Sequence, residues 1–358
     1  MRIGFDAHVF DGRDQGTKTL LLRLIETLAR RYPEHDVFVY AEEPHPELDF
    51  TRANLHHRPL IRRNAAHHLL RALPHAARCD RLDTMVFNYI HSPLMRNATV
   101  IIHDILPQTH PRFFPARFVA QCWAFFGMSS LLARHLFTVS DYSRDEIRRI
   151  YPWTKDKAIT VLHPGASFPK SVYFDRPPSP TSAADEGRYI LIVGRIETRK
   201  NVQTAIDAFR LGAPADVRLI IVGRREPGIA IETYGDPRIV ERVGVSNVEL
   251  VELYRGADLF LYPSLAEGFG LPLLDAILFG LPVIASNRTS MLEVGAECVT
   301  MFDPTAADAT KRLSAAIEQH FGDAPITPPT LANRRARAAL YSWDNAADEF
   351  MRGIGDAS

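Results

Sequence analysis

This sequence predicts an α/β protein built from two doubly wound parallel-sheet domains, and three observations carry the expectation. Short apolar, β-branched runs alternate with longer amphipathic stretches, which is the signature of βαβ units. The alternation is interrupted once by a Pro-, Ser- and Asp-rich stretch and then restarts. The chain has 358 residues, enough for about two domains at roughly 150 residues each.

In the first half the strand-like runs are Arg2 to Asp6, Val37 to Tyr40, Thr99 to Asp104, Phe137 to Ser140 and Ile159 to Leu162. Phe118 to Leu132, FVAQCWAFFGMSSLL, is the most apolar stretch. It falls short of the roughly 20 residues a membrane span needs, so a buried core helix is expected there. Lys170 to Gly187, KSVYFDRPPSPTSAADEG, has the composition of an exposed linker. The runs then resume at Tyr189 to Val193, Arg218 to Val222, Leu259 to Tyr262 and Val283 to Ala285. The expected division is a first domain over 1–170, a linker over 171–187 and a second domain over 188–342, followed by a terminal segment over 343–358. Sheets of this kind bind ligands beyond the carboxyl ends of their strands, at the topological switch point, so two facing domains predict an interdomain cleft.

Composition narrows the function. At 46% apolar and 23% charged, the chain is neither collagen-like, disordered nor a small disulfide scaffold. Its 42 basic residues balance 42 acidic ones, so no global charge draws it onto nucleic acid. Cys79, Cys122 and Cys298 form no CxxC pair, which disfavours a zinc knuckle or redox dithiol and fits a reducing cytoplasm. The opening MRIGFDAHVFDGRD meets Asp6 before any signal-length apolar run, so no export signal is expected.

Four segments could carry chemistry. After the strand ending at Tyr262, the chain runs through Glu267-Gly268-Phe269-Gly270-Leu271-Pro272 into a helical pattern from Leu273 to Phe279, stopped by Gly280. Its two glycines permit close backbone approach to a ligand, and a helix N-terminus offers free N–H groups; the plainer reading is a tight strand-to-helix turn. A dinucleotide fingerprint fails because Leu273 stands where GxGxxG needs glycine. Gly194-Arg195-Ile196-Glu197-Thr198-Arg199-Lys200 follows YILIV and places cations where phosphates could be neutralised, or else forms a solvated loop pairing with Glu197. His103 closes VIIH, as a hydrogen-bonding or proton-exchanging group or as a core imidazole. Gly12 to Lys18 is a glycine-containing βα loop too irregular for a Walker A motif.

Together these segments resemble the retaining glycosyltransferases of family 4, which have the GT-B fold of two Rossmann-like domains. The likeness covers most of the chain, including VIIHDILP, FTVSDYSRDEI, VLHPGAS, YILIVGRIETRKN and, most specifically, VELYRGADLFLYPSLAEGFGLPLLDAILFGLPVIAS. The resemblance implies Arg195 and Lys200 on the donor diphosphate with Arg199 nearby, and Glu267 on the transferred sugar. The backbone of Gly268, Phe269, Gly270 and Leu271 would hold hydroxyls and phosphate. His103 would face the sugar, the loop at Gly16 and Thr17 the diphosphate or acceptor, and the base would lie near Val245. The C-terminal helix, about Trp343 to Gly353, would cross back onto the first domain. Where the family has a second Glu on the ribose, this chain has Asp275, one methylene shorter.

The reaction so implied is retaining transfer of a hexose from a nucleotide-diphosphate sugar, with no metal cofactor, because no DxD motif appears and the cations can stabilise the leaving phosphate. Mannose from GDP-mannose is the favoured donor, with a glycan or lipid-linked acceptor in bacterial surface polysaccharide synthesis. The competing readings are a sugar-nucleotide epimerase of the same fold and a non-catalytic carbohydrate- or nucleotide-binding protein. Between Arg52 and Arg78 the chain has six arginines and no acid. Leu69, Leu70 and Leu73 give this segment an apolar edge that could rest on an anionic membrane, or it is merely a solvated basic face.

Overall fold

The computed structural model describes residues 1–11, 16–174 and 187–356. It comprises two compact units, Met1–Gly165 with Tyr341–Ser358, and Ala166–Leu340. Five helices matter below: α1 (Gly16–Arg31), α2 (Ala116–Leu132), α3 (Lys170–Phe174), α4 (Leu271–Phe279) and α5 (Trp343–Asp356).

The first unit holds seven parallel strands, β1 (Arg2–Asp6), β2 (Asp36–Ala41), β3 (Leu55–Pro59), β4 (Thr84–Asn88), β5 (Ala98–Ile101), β6 (His135–Thr138) and β7 (Ile159–Val161), in the order β3-β2-β1-β4-β5-β6-β7. Such strands are covered on both faces and read as apolar runs, and Phe5, Phe38, Val100 and Leu136 are accordingly buried. Ile3 of β1 pairs with Val37 on one side and Thr84 on the other. The winding direction reverses between β1 and β4, so the carboxyl ends carrying Asp6 and Asn88 form a switch point.

Helix α5 completes this unit. Phe350 stacks on Phe5 and Phe137 at 5.7 and 5.0 Å between ring centroids. On α1, Arg31 donates two hydrogen bonds to Asp348, at 2.6 and 2.7 Å. Gly353 lies so close to β6 that a Cβ there would meet the Phe137 ring at 2.7 Å.

The second unit has six parallel strands, β8 (Arg188–Val193), β9 (Val217–Val222), β10 (Ile239–Arg242), β11 (Leu259–Tyr262), β12 (Val283–Ser286) and β13 (Thr300–Phe302), in the order β10-β9-β8-β11-β12-β13. Its core gathers Ile190, Phe209, Leu219, Leu261 and Ile284. The switch point falls between β8 and β11, the strands that feed the Arg195–Lys200 and Glu267 segments. Beyond β8 and β9 the backbone demands glycine: Gly223 has φ +154°, and a Cβ on it would sit 1.9 Å from the carbonyl oxygen of Gly194.

Three expectations need correction. Residues 170–174 are helical, not linker, because Tyr173 is buried and packs against Phe279 in a tilted pair, 4.7 Å between ring centroids; residues 175–186 of the expected linker lie outside the described residues. Helix α2 is not a buried core helix. Cys122 and Phe126 enter the core, but Phe118, Trp123, Phe125, Leu131 and Leu132 are exposed. In the basic 52–78 segment, Leu73 is fully buried and Leu69 packs on the core, so the apolar edge turns inward and only Leu70 of the three leucines is exposed. Among the described residues no helix is long and apolar enough to cross a membrane.

Candidate active site

In the second unit, a short turn after β8 and the loop after β11 build an ion cluster. Lys200 Nζ lies 2.6 Å from Glu267 Oε1 and 3.1 Å from the Tyr262 hydroxyl, and Arg199 Nη1 lies 2.6 Å from Glu267 Oε2. Arg199 also donates to Glu197 and to the Ala266 carbonyl. The turn ends in Asn201, whose left-handed backbone (φ 54°) redirects the chain into the next helix, while its side-chain amide donates to Pro263 O. Leu265 N–H donates to Arg199 O at 2.8 Å, tying the two segments together. Burial would raise the Glu267 pKa. The charges of Arg199 and Lys200, with the hydrogen bond from Lys200, outweigh it and hold the carboxyl at about 2. Glu267 is therefore a buried carboxylate bracketed by two cations.

The loop is pinned from beneath by residues that the sequence did not single out. Glu267 N–H donates to Thr289 Oγ1 at 2.9 Å. The fully buried Ser290 hydroxyl lies 3.0 Å from the Glu267 carbonyl and 2.9 Å from that of Phe269, so it can share its hydrogen between both. Gly268, Phe269 and Gly270 are buried, and Leu271 is half-buried as the first residue of α4. Gly270 has φ +103°, a conformation suited to glycine, and α4 begins directly after it with Pro272 in its first turn.

The other expected residues of this unit have environments of their own. Arg195 Nη1 pairs with Glu226 Oε1 at 3.1 Å on the surface. Val245 is half-buried in the loop after β10. Asp275, which stands where the resemblance puts a ribose-contacting acid, is buried: its Oδ1 accepts from Ser167 N–H at 3.0 Å and from the Tyr173 hydroxyl at 2.6 Å. Burial raises its pKa, and these two donors oppose the rise. The physical reason is α3, which occupies the ground given to the linker and brings Tyr173 against α4.

In the first unit, His103 is buried, and burial drives its pKa down to about 3. Burial therefore favours the neutral imidazole form. Its tautomer follows from its neighbours. The Asn88 amide donates to Asp6 O at 3.3 Å, which leaves Asn88 Oδ1 to accept from His103 Nε2 at 3.2 Å. Asp6 itself accepts from His8 Nδ1 and from His68 Nε2, each at 2.9 Å. Burial opposes ionisation of Asp6, yet these hydrogen bonds keep it well below the ordinary carboxyl range. The three side chains offer ligand atoms within 4.8 Å of one another, although hydrogen bonding alone accounts for their arrangement. The Asp-Ala-His ending of the first strand was the available signal for this group. Gly16 is exposed and Thr17 half-buried at the start of α1; residues 12–15 of their loop lie outside the described residues.

Comparisons with known proteins agree with this architecture. Residues 177–323 match the family described as Glycosyl transferases group 1. The chain is 32% identical over 272 residues to O-antigen chain mannosyltransferase B of Escherichia coli, covering 71% of this chain and 69% of that protein. In structure it resembles sucrose-phosphate synthase from Thermosynechococcus elongatus, with a TM-score of 0.76 and 18% identity over 100% of this chain and 99% of the other. It also resembles Anabaena Alr3699/HepE, whose structure was determined in complex with UDP-glucose, with a TM-score of 0.72 and 16% identity over 99% of this chain and 100% of the other. These structural likenesses concern the fold, two parallel-sheet Rossmann-like domains of the GT-B type. With a mannosyltransferase relative spanning most of its length, the chain belongs to the glycosyl transferases group 1 family.

Proposed function

We propose that this protein is a retaining, metal-independent glycosyltransferase that moves mannose from GDP-mannose to a glycan or lipid-linked acceptor in surface polysaccharide synthesis. The observation that carries this reading is the Glu267 carboxylate held between Arg199 and Lys200 at the switch point of the second sheet. A diphosphate arriving there would compete with Glu267 for the two cations and free the carboxylate for sugar hydroxyls. The choice of mannose follows the O-antigen mannosyltransferase relative.

In the reaction, the bond from the sugar C1 to the diphosphate oxygen breaks and the acceptor oxygen bonds to C1 on the same face. The acceptor proton passes to the leaving phosphate. Negative charge grows on that phosphate, and preplaced cations stabilise it without reorganising. Lys200 and Arg199 are assigned this role, with Arg195 recruited from its Glu226 pair; the Gly268–Leu271 backbone holds the sugar, and Val245 lies near the base. His103, neutral, serves as a hydrogen-bonding group to the sugar. Gly16 and Thr17 belong to the diphosphate or acceptor side. Asp275 is retained as a ribose contact only if its Ser167 and Tyr173 partners let go. The enzyme works in the cytoplasm, with the arginines of the 52–78 segment near the inner membrane face.

The test is a thermal-shift panel of GDP, UDP and ADP sugars, followed by NMR of the product anomer. GDP-mannose should give the largest shift and the α-anomer of the donor should be retained. An inverted anomer, or stabilisation by no sugar nucleotide, would remove the reading.

A further inference from the structure

Tyr89 is the first residue past β4, at the switch point of the first sheet, and its backbone is left-handed (φ 60°). A bulky side chain makes that conformation costly, so the surroundings must hold it in place. Among the described residues five other non-glycine positions have positive φ, and two of them, Asn201 and Thr289, belong to the Glu267 cluster. Backbone strain of this kind gathers at functional sites. At Tyr89 it has a geometric use. Side chains alternate between the two faces along a strand, so a continued β4 would send Asn88 and Tyr89 to opposite sides of the sheet. The turn brings both to one imidazole instead.

Asn88 Oδ1 accepts from His103 Nε2 at 3.2 Å, and the Tyr89 ring packs against the His103 ring with 5.2 Å between centroids and 31° between planes. The same tyrosine ring stacks on the buried Phe126 ring at 4.9 Å and 20°. Two backbone bonds secure the turn. Tyr89 N–H donates to Ile101 O at 2.9 Å, tying it to the end of β5, two residues before His103, and Ile90 N–H donates to Asn88 O at 2.6 Å. The hydrogen bond to Asn88 fixes one nitrogen of His103 but leaves the ring free to turn about the line of that bond. Contact with a second ring, itself packed on Phe126, removes that freedom. We propose that Tyr89 is a positioning residue for His103: its left-handed turn and its ring set the plane of the imidazole. This rests on the proposed function, which gives His103 to the transferred sugar, and goes beyond it by naming the residue that orients His103.

Asparagine enters the left-handed region more readily than other non-glycine residues, so Tyr89→Asn keeps the turn and removes the ring, whereas Tyr89→Phe keeps both. The first measurement is the imidazole 15N–1H spectrum of the full chain without sugar nucleotide, with His103 assigned by the signal lost in His103→Gln. The parent and Tyr89→Phe should show a protected His103 Nε2 proton, and Tyr89→Asn should lose it. The second measurement is GDP-mannose turnover. Tyr89→Asn should lower kcat roughly tenfold or more, as misplacement of a positioned group does, with little change in KM, and Tyr89→Phe should restore it. Ile147→Val, a buried substitution in the same core, controls for lost stability and should leave both readouts as in the parent. The proposal fails if the His103 proton stays protected in Tyr89→Asn, if Ile147→Val loses it equally, or if Tyr89→Asn raises KM and spares kcat. Absence of turnover in the parent would strike the proposed function instead, and the ring proton would still decide whether Tyr89 orients His103.

Discussion

Replacing Lys200 with Ala would remove one of the two cations that keep Glu267 ionised in a buried position. One expectation from sequence places Lys200 in a solvated loop. With only 12% of its side chain exposed and a buried acid as partner, it contributes to stability as well. The pH dependence has a definite sign. Glu267 drops from an ordinary 4.5 to about 2, so its stabilisation is fully present above about pH 4.5 and disappears as pH falls toward 2. That shift corresponds to about 3 kcal/mol. Lys200→Ala should lower the thermal midpoint at neutral pH, and the gap from wild type should narrow as pH falls from about 4.5 toward 2; a gap independent of pH would show that the pair does not hold Glu267 ionised. Asp275→Ala should cost about 1–3 kcal/mol by stranding the Ser167 N–H and Tyr173 hydroxyl, measured by urea unfolding, with Asp275→Asn costing less because an amide oxygen still accepts. The clusters at 195–200 and 267–271 were legible because each is contiguous in sequence. The partners that hold them were not: Ser290 reaches Phe269 across 21 residues, and His68 reaches Asp6 across 62, distances at which no local pattern speaks.

Strands were legible wherever a run had an apolar centre, as at 2–6, 189–193 and 259–262. The sequence reading missed β3, β4, β10 and β13. Three of them, β3, β10 and β13, stand at or beside sheet edges, where LHHRP and IVER carry polar residues toward solvent and TMF is too short to read. The misjudged α2 shows the converse, since apolar composition marks contact without saying with what. On α5, two glycines give a matched test of packing. Alanine is favoured over glycine in helices by about 1 kcal/mol, and nothing lies within 4 Å of a Cβ at Gly355, so Gly355→Ala should raise the thermal midpoint slightly. At Gly353 the new methyl would press on the buried Phe137 ring at 2.7 Å. Overpacking of about 1–3 kcal/mol wins there, so Gly353→Ala should lower the midpoint; equal shifts for the two variants would mean that α5 does not bear on β6 as described.

At the scale of the whole molecule, donor turnover by the full chain should persist in excess chelator, because the charge that a divalent ion would supply is assigned to Arg199 and Lys200. Loss of GDP-mannose turnover in EDTA, restored by magnesium or manganese, would overturn that assignment. The zero net charge leaves solubility to local charge patterns, and α2 is where that pattern thins most. One further consequence comes from the way the first unit is assembled, from residues 1–165 and 341–358. On the ribosome, its seven strands emerge well before α5 does, and until then Phe5, Phe137 and Gly353's landing site on β6 have no cover. The second unit, drawn from one unbroken stretch, can close as soon as it is made. The nascent chain must therefore carry an unfinished apolar face through the whole synthesis of the second unit, an interval in which chaperone engagement should be greatest and in which a stalled or truncated chain would be prone to aggregate.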